Sequence, residues 1–316
     1  MVVGSYATGL TLKVKRLPSP GETVLASGYR VDYGGKGSNQ AVGCARLGAE
    51  VTFIARVGKD AFAEMALALY REEGIDTSFV YQTPDHPTGV GFILVEAGTG
   101  NNCIALDPGA NESLSAADIA PSQNAISVVL TQLEIPVPAA EAALSRGRSG
   151  GATTILNPAP VRPLSPSVLQ LVDILTPNQT EAKVLTGRSP DAAIEPEEAA
   201  RDLIRAGVKN VVMTLGERGA VIVTASSSKH IAAMKMSAVD TTGAGDAFNA
   251  GLATALAWGE SLELAVEFAV VVGGLAVTRE GVIPSLPKRA EVVQFYQQHR
   301  LRAPDWLLSD VPMKRN

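Results

Sequence analysis

The stretch Ile126-Ser127-Val128-Val129-Leu130-Thr131-Gln132-Leu133 is an almost continuous apolar run. Successive side chains of a strand point to opposite faces, so a strand apolar at consecutive positions must be covered on both sides. That requirement predicts a mainly parallel sheet between two helical layers. The flanking chain has the matching rhythm. Strand-like segments at 1–5, 51–57, 153–156, 172–175 and 210–214 alternate with helical patterns at 38–47 (closed by Gly48), 61–73, 139–145, 179–185 and 197–206. A hairpin is expected at 221–224 and 230–236, then helices from Asp246, at 262–277 and at 289–300, and a peripheral tail from Ala303. Two pairs of alternating segments break the rhythm. One, at 10–14 and 22–33, surrounds Pro18-Ser19-Pro20-Gly21; the other, at 89–96 and 103–107, surrounds Gly98-Thr99-Gly100-Asn101. They read as a separate small sheet inserted at about 10–33 and 89–107 into one α/β domain spanning 1–316.

Composition narrows the partners. Lys plus Arg number 27 against 32 Asp plus Glu, a net charge of −5 with no basic run, which argues against nucleic acid and anionic membrane surfaces. An anionic cofactor would have to be held by local donors. Cys44 and Cys103 read as buried small hydrophobes, and His86, His230 and His299 lack ligand spacing, so neither a disulfide framework nor a zinc site is expected. With no apolar run long enough for a bilayer and no secretory pattern at the start, the expected home is the cytoplasm.

The chemistry concentrates in Asp240-Thr241-Thr242-Gly243-Ala244-Gly245-Asp246, which runs directly into a helical pattern. Gly243 and Gly245 permit close backbone approach, and a helix's first turn offers unpaired N–H donors with a partial positive charge. Asp246 beside such an anion hole is placed to take a proton from an attacking hydroxyl. Phosphoryl transfer needs that layout, because its catalysis is mostly positioning and charge stabilisation. One hole donor is typically worth about 10²–10³ in rate, and a placed base about 10²–10⁴. Gly-x-Gly alone is equally an ordinary loop into a helix, with Asp246 a first-turn acid suited to the dipole.

A second stretch, Gly34-Gly35-Lys36-Gly37-Ser38-Asn39-Gln40-Ala41, lies about two hundred residues upstream. The two together, in this order, resemble the signature segments of the PfkB family of carbohydrate kinases, and the likeness extends from Gly4 to about residue 298. The resemblance implies a ribokinase-like fold whose small sheet is a lid that often forms a homodimer contact. It implies ATP-dependent transfer of the γ-phosphate to a primary hydroxyl of a sugar, ribose or a related pentose or ketose. Asp246 would be the base, and Gly243, Ala244 and Gly245 the anion hole.

By the same resemblance Gly35, Lys36, Gly37 and Asn39 hold the sugar, although read alone they are a glycine turn capping a helix. Glu134, just past the apolar run, stands where open α/β sheets bind ligands, and it matches the family's sugar-binding glutamate. In Thr176-Pro177-Asn178-Gln179-Thr180-Glu181, an ordinary helix start, Asn178 would face nucleotide phosphates and Glu181 would order water around Mg2+. Thr214, Gly216 and Gly219, in a strand-to-hairpin turn, match the nucleotide site. Asp240, Thr242, Ala276, Arg279, Gly281 and Ser285 match segments whose carbonyls bind a monovalent cation, K+, in the family.

One departure bears on the acceptor. The family's first strand ends in Gly-Ser-x-Asn-x-Asp, whose amide and carboxylate grip sugar hydroxyls; here Gly4-Ser5-Tyr6-Ala7-Thr8-Gly9 puts Ala7 and Gly9 in their places. Sites built for hydroxyls depend on such paired groups, so which sugar is accepted stays open. Tyr6 or Thr8 are candidates for replacement contacts. The alternatives are a nucleoside or other polyol kinase of the family, or a non-catalytic sugar-binding protein on the same fold. A dinucleotide fingerprint and a P-loop are both disfavoured by the residues around Gly245 and Gly35.

Overall fold

Val128 and Leu130 pack into one buried apolar cluster and Val129 into another, so the strand they form is covered on both faces. The same split recurs at Val2 and Val3, Ile155 and Leu156, Ile174 and Leu175, and Val212 and Val211. The computed structural model describes residues 1–119 and 125–309. Its strands are β1 (Val2–Val3), β2 (Ala7–Val14), β3 (Ala26–Gly34), β4 (Thr52–Gly58), β5 (Asp76–Thr83), β6 (Val90–Glu96) and β7 (Asn102–Asp107). They continue as β8 (Val128–Thr131), β9 (Thr153–Leu156), β10 (Ile174–Leu175), β11 (Asn210–Thr214), β12 (Ala220–Val223) and β13 (Ser228–Ile231).

Nine of these form one sheet in the order β13-β12-β11-β10-β9-β8-β1-β4-β5. Neighbours from β11 across to β5 are parallel, and β12 and β13 close one edge antiparallel. The chain leaves β1 toward β4 and later returns to its other side as β8. The gap between β1 and β8 is therefore the topological switch point, where open α/β sheets place ligands beyond the carboxyl ends of their strands. The remaining strands form a second sheet, β3-β2-β6-β7, built from the segments that broke the sequence rhythm.

Helices Lys36–Arg46, Ala61–Glu72, Ala244–Ala257, Leu262–Ala276 and Arg289–Gln298 supply the apolar cluster on one face, and Val137–Ser149 and Pro196–Arg205 that on the other. The strands at Thr153–Leu156 and Asn210–Thr214 and the helix at Gln179–Leu185 fall where the sequence put them.

One strand lies outside the sequence pattern and two expectations need correction. Strand β5 carries no apolar alternation at its start, where Asp76, Thr77 and Ser78 suit the edge position it occupies. Cys103 is exposed on β7 rather than buried, because its sheet has an uncovered face. The tail from Ala303 is not peripheral throughout, since helix Asp305–Leu308 buries Trp306 and Leu307. Trp306 stacks on Trp258 at 5.4 Å, and Arg289 hydrogen-bonds the carbonyls of Trp306, Leu307 and Ser309. Among the described residues no helix is long and apolar enough to cross a membrane.

Candidate active site

Asp246 lies in the first turn of helix Ala244–Ala257 and is 6% exposed. Two side chains from helix Lys36–Arg46 grip it: Asn39 Nδ2 donates to Oδ2 at 2.8 Å and Gln40 Nε2 to Oδ1 at 2.9 Å. Burial pushes its pKa above the ordinary carboxylate value; Lys36, Asn39 and Gln40 oppose the shift and Glu134 adds to it. Lys36 feels the reverse balance. Burial works to lower its pKa, but the carboxylates of Asp246, Glu134 and Glu181 together raise it, so the ammonium is the common counter-charge of three acids.

Of the four amides at this helix start, three are unpaired and one is not. Among the described residues the N–H groups of Gly243, Gly245 and Asp246 donate to nothing, whereas that of Ala244 is spent on the Thr241 carbonyl at 3.2 Å. A side chain on Gly245 would meet nothing within 4 Å, so the space before these amides is open. Gly243 has a different reason to be glycine. It caps the helix at φ 81°, and a Cβ there would sit 2.6 Å from Val282 Cγ1.

Across the switch point, Glu134 Oε2 accepts from Ser5 Oγ at 2.6 Å and from the Lys36 amide at 2.8 Å. The ends of β1 and β8 and the start of helix Lys36–Arg46 are thereby tied at one carboxylate. At the other end of the row, Asn178 Oδ1 accepts from the Glu181 amide and Glu181 Oε2 from the Asn178 amide, both at 2.8 Å. Burial raises the Glu181 pKa, with the Asn178 amide and Lys36 pulling it back. Thr214 pairs beside Asn178 through its N–H to the Pro177 carbonyl at 3.0 Å, and Gly216 follows at φ 62° with open space around it.

Behind the Asp246 helix two loops meet. Asp240 Oδ1 accepts from the Thr242 amide at 2.9 Å and Oδ2 from the Gly281 amide at 3.0 Å. Burial opposes ionisation of Asp240, but these bonds and Arg30 hold its pKa below the ordinary value. The carbonyls of Asp240, Thr242, Ala276, Arg279, Gly281 and Ser285 accept no hydrogen bond among the described residues. The Arg279 side chain turns aside to Glu291 at 2.7 Å.

Residues 1–289 match the pfkB family of carbohydrate kinases. The chain belongs to that family. Among pfkB relatives it is 37% identical over 299 residues to a ribokinase of Haemophilus influenzae, covering 94% of this chain and 97% of that one. It is 35% identical over 290 residues to a deoxyribokinase of Salmonella typhi, covering 90% and 94%. A solved ribokinase of Arabidopsis thaliana, complexed with ribose and ATP, matches its fold with a TM-score of 0.85 at 30% identity, covering 93% and 96%. Its fold is ribokinase-like, and it is an ATP-dependent carbohydrate kinase.

The structure adds a packing reason for several of the glycines singled out above. Packing within the chain alone requires glycine at 35 and 37: a Cβ on Gly35 would lie 2.7 Å from Tyr6 Cα, and one on Gly37 would lie 2.4 Å from the Ser5 nitrogen. Gly219 is alike, at 2.1 Å from the Ile231 carbonyl oxygen. Tyr6 and Thr8 do not replace the missing sugar contacts. Tyr6, just before β2, and Thr8, within it, are fully buried on the side opposite Ala7 and Gly9, their hydroxyls 3.1 Å apart.

Sequence reasoning gave no role to a run of buried polar residues. Gln132 donates to Gln40 at 2.6 Å, Gln40 to Asn157 at 3.1 Å and Asn157 to the Thr176 carbonyl at 3.2 Å. Thr176 Oγ1 donates to Asn249 at 2.6 Å, and Asn249 to the Gly245 carbonyl at 2.8 Å. The available signal was a polar residue directly after each apolar strand, at Gln132, Asn157 and Thr176.

Proposed function

We propose that this chain transfers the terminal phosphate of ATP to a primary hydroxyl of a sugar of the ribose or deoxyribose class, with Asp246 as the base. The observation that carries the reading is a buried carboxylate in the first turn of a helix, beside three unpaired amides and one lysine. Asp246 takes the acceptor's proton, the acceptor oxygen bonds phosphorus, and the bond to the leaving ADP breaks with its electron pair on ADP. The amides of Gly243, Gly245 and Asp246 meet the charge developing on the phosphoryl oxygens, and Lys36 balances the acids around it. Asn39 and Glu134, with Lys36, line the sugar end, and Asn178, Thr214 and Gly216 the nucleotide end.

Among the described residues no trio of acidic, His or Cys side chains could cage a metal. That suits Mg2+, which keeps waters and substrate phosphates as ligands; Glu181 would hold it through water, and when bound it neutralises phosphate charge. The six partnerless carbonyls behind the Asp246 helix are a donor set of the type K+ takes. A homodimer through the small sheet is supported by Tyr29, Val31 and Phe92, exposed together on one of its faces.

A coupled ADP-release assay over pentoses, hexoses, ketoses and nucleosides tests the reading. Turnover on ribose or 2-deoxyribose well above the other classes is expected. Sugar binding with no turnover on any acceptor would replace it with a non-catalytic sugar-binding protein.

A further inference from the structure

Gly9 leaves an opening on the small sheet, and the register shows what stands beside it. Asp32 of β3 is directly opposite Gly9, Gly91 of β6 lies on its other side, and Leu106 of β7 follows Gly91. Neither glycine is forced by crowding. A Cβ on Gly9 would make only ordinary contacts, the nearest 3.7 Å from Asp32 Cβ, and one on Gly91 only 3.7 Å from a Leu106 methyl. Side chains paired across a ladder share a face. The row Asp32-Gly9-Gly91-Leu106 thus sets a carboxylate beside half-buried Gly9, with buried Gly91 and then an exposed leucine beyond it.

That face turns toward the reaction centre. Arg30, two residues along the same strand, reaches Glu280 at 3.3 Å, next to the Gly281 amide that holds Asp240. The same guanidinium donates to Asp32 Oδ2 at 2.5 Å, while Asp32 Oδ1 accepts nothing among the described residues. Strand β3 then runs directly into Gly35, Lys36 and Asn39. A fixed carboxylate with a free oxygen, beside a half-buried glycine and an apolar neighbour, suits a small ring with hydroxyls on one edge and C–H bonds on its face.

We propose that Asp32 is the carboxylate that grips the acceptor's hydroxyls in this chain, with the missing side chain at Gly9 making room for the ring. The proposal rests on the sugar-kinase reading above. It assigns the selection of the acceptor to β3 and the chemistry to Asp246.

The test compares Asp32→Ala, Asp32→Asn and the double variant Gly9→Asp/Asp32→Ala with the unmodified enzyme on D-ribose and its 2-deoxy and 3-deoxy analogues. Losing a hydrogen bond to a charged group should raise KM for ribose about 10- to 100-fold in Asp32→Ala, and about 5-fold in Asp32→Asn, whose amide keeps one acceptor oxygen. KM for ATP should stay within about twofold, and discrimination against the analogue lacking the gripped hydroxyl should fall by a similar factor. Gly9→Asp, returning a carboxylate to the adjacent position, should recover most of the ribose KM. Asp32→Asn keeps size and shape, so it reads the contact even if Asp32→Ala folds poorly. Unchanged ribose KM and unchanged discrimination in Asp32→Asn would overturn the proposal, as would a double variant no better than Asp32→Ala. An unmodified enzyme that phosphorylates no sugar would remove the kinase reading and the proposal together, and that shows before any substitution is made.

Discussion

Replacing Asp246 by asparagine separates the base from the fold. In the native site Asn39 Nδ2 and Gln40 Nε2 both point at the carboxylate. An asparagine offers one oxygen and one NH2, so one donor would face another donor. Gln40 cannot turn its amide, because Oε1 accepts from Gln132 and Nε2 also donates to Asn157. Asn39 can, since its Oδ1 has no partner and a flip presents that oxygen to the new NH2. Two charge-assisted bonds become neutral ones, each weaker by about 1 kcal/mol, while the burial of a charge is relieved. Asp246→Asn is expected to keep stability within about 1 kcal/mol in thermal or urea unfolding. Asp246→Ala, which strands both donors, should lose about 2–6 kcal/mol.

In ADP release kcat should fall by about 10²–10⁴ in Asp246→Asn, with ATP affinity by calorimetry unchanged because the free amides are backbone. The pH profile adds a signature. Burial raises the Asp246 pKa in the folded state, so the native chain holds this proton more tightly than the unfolded one. Protonation therefore stabilises the fold, and that contribution is lost as pH rises from the unfolded-state pKa to the folded one. Activity moves the opposite way, falling as pH drops through the folded value. Both dependences should vanish in Asp246→Asn. A variant that kept kcat within threefold of about the native rate would refute the assignment of the base.

The two glycines of the anion site should separate in the same assays. Gly245→Ala enters open space inside a helix and should hold or raise stability by about 0.5–1 kcal/mol while raising KM for ATP, because the methyl stands before the free amides. Gly243→Ala meets Val282 Cγ1 at 2.6 Å with φ at 81° and should lose about 1–3 kcal/mol in urea unfolding. Equal effects of the two on stability would contradict the geometry.

Local physics decided what could be read from the sequence. The doubly buried strands were legible because Val128, Val129 and Leu130 each need cover, and the helix ends because Gly48 and Asn178 terminate or cap them by nearest-neighbour bonds. Asp246 was legible as an acid beside a glycine turn. Its grip by Asn39 and Gln40 was not, since residues some 207 and 206 positions away meet it only after the sheet has formed. The two hydroxyls at Tyr6 and Thr8 looked as available as any, and only the pleat of β2 sends them into the core. Trp306 looked like tail because its partner Trp258 lies far off in sequence. Asp32 drew no notice for the same reason: strand register, which no local pattern contains, puts it beside Gly9.

The buried polar run explains why Asp246 holds still. Strands β1, β8, β9, β10 and β11 end in order along one edge, delivering Ser5, Glu134, Asn157, Asn178 and Thr214 from the proposed sugar end to the proposed nucleotide end. A base at the middle of that edge must be held to a fraction of an ångström for in-line transfer. Gln132, Gln40, Asn157, Thr176 and Asn249 make the fixing chain, and it touches the Asp246 helix at two points. Its second member, Gln40, bonds Asp246, and its last, Asn249, bonds the carbonyl of Gly245, whose amide belongs to the proposed anion site. Base and anion hole therefore share one frame and cannot shift independently. The demand reaches as far as Gly4, where a Cβ would sit 2.2 Å from Gln132 Oε1. Partly satisfied networks in a low dielectric are costly, so the run is expected to act as a unit in which loss of one member loosens both functions.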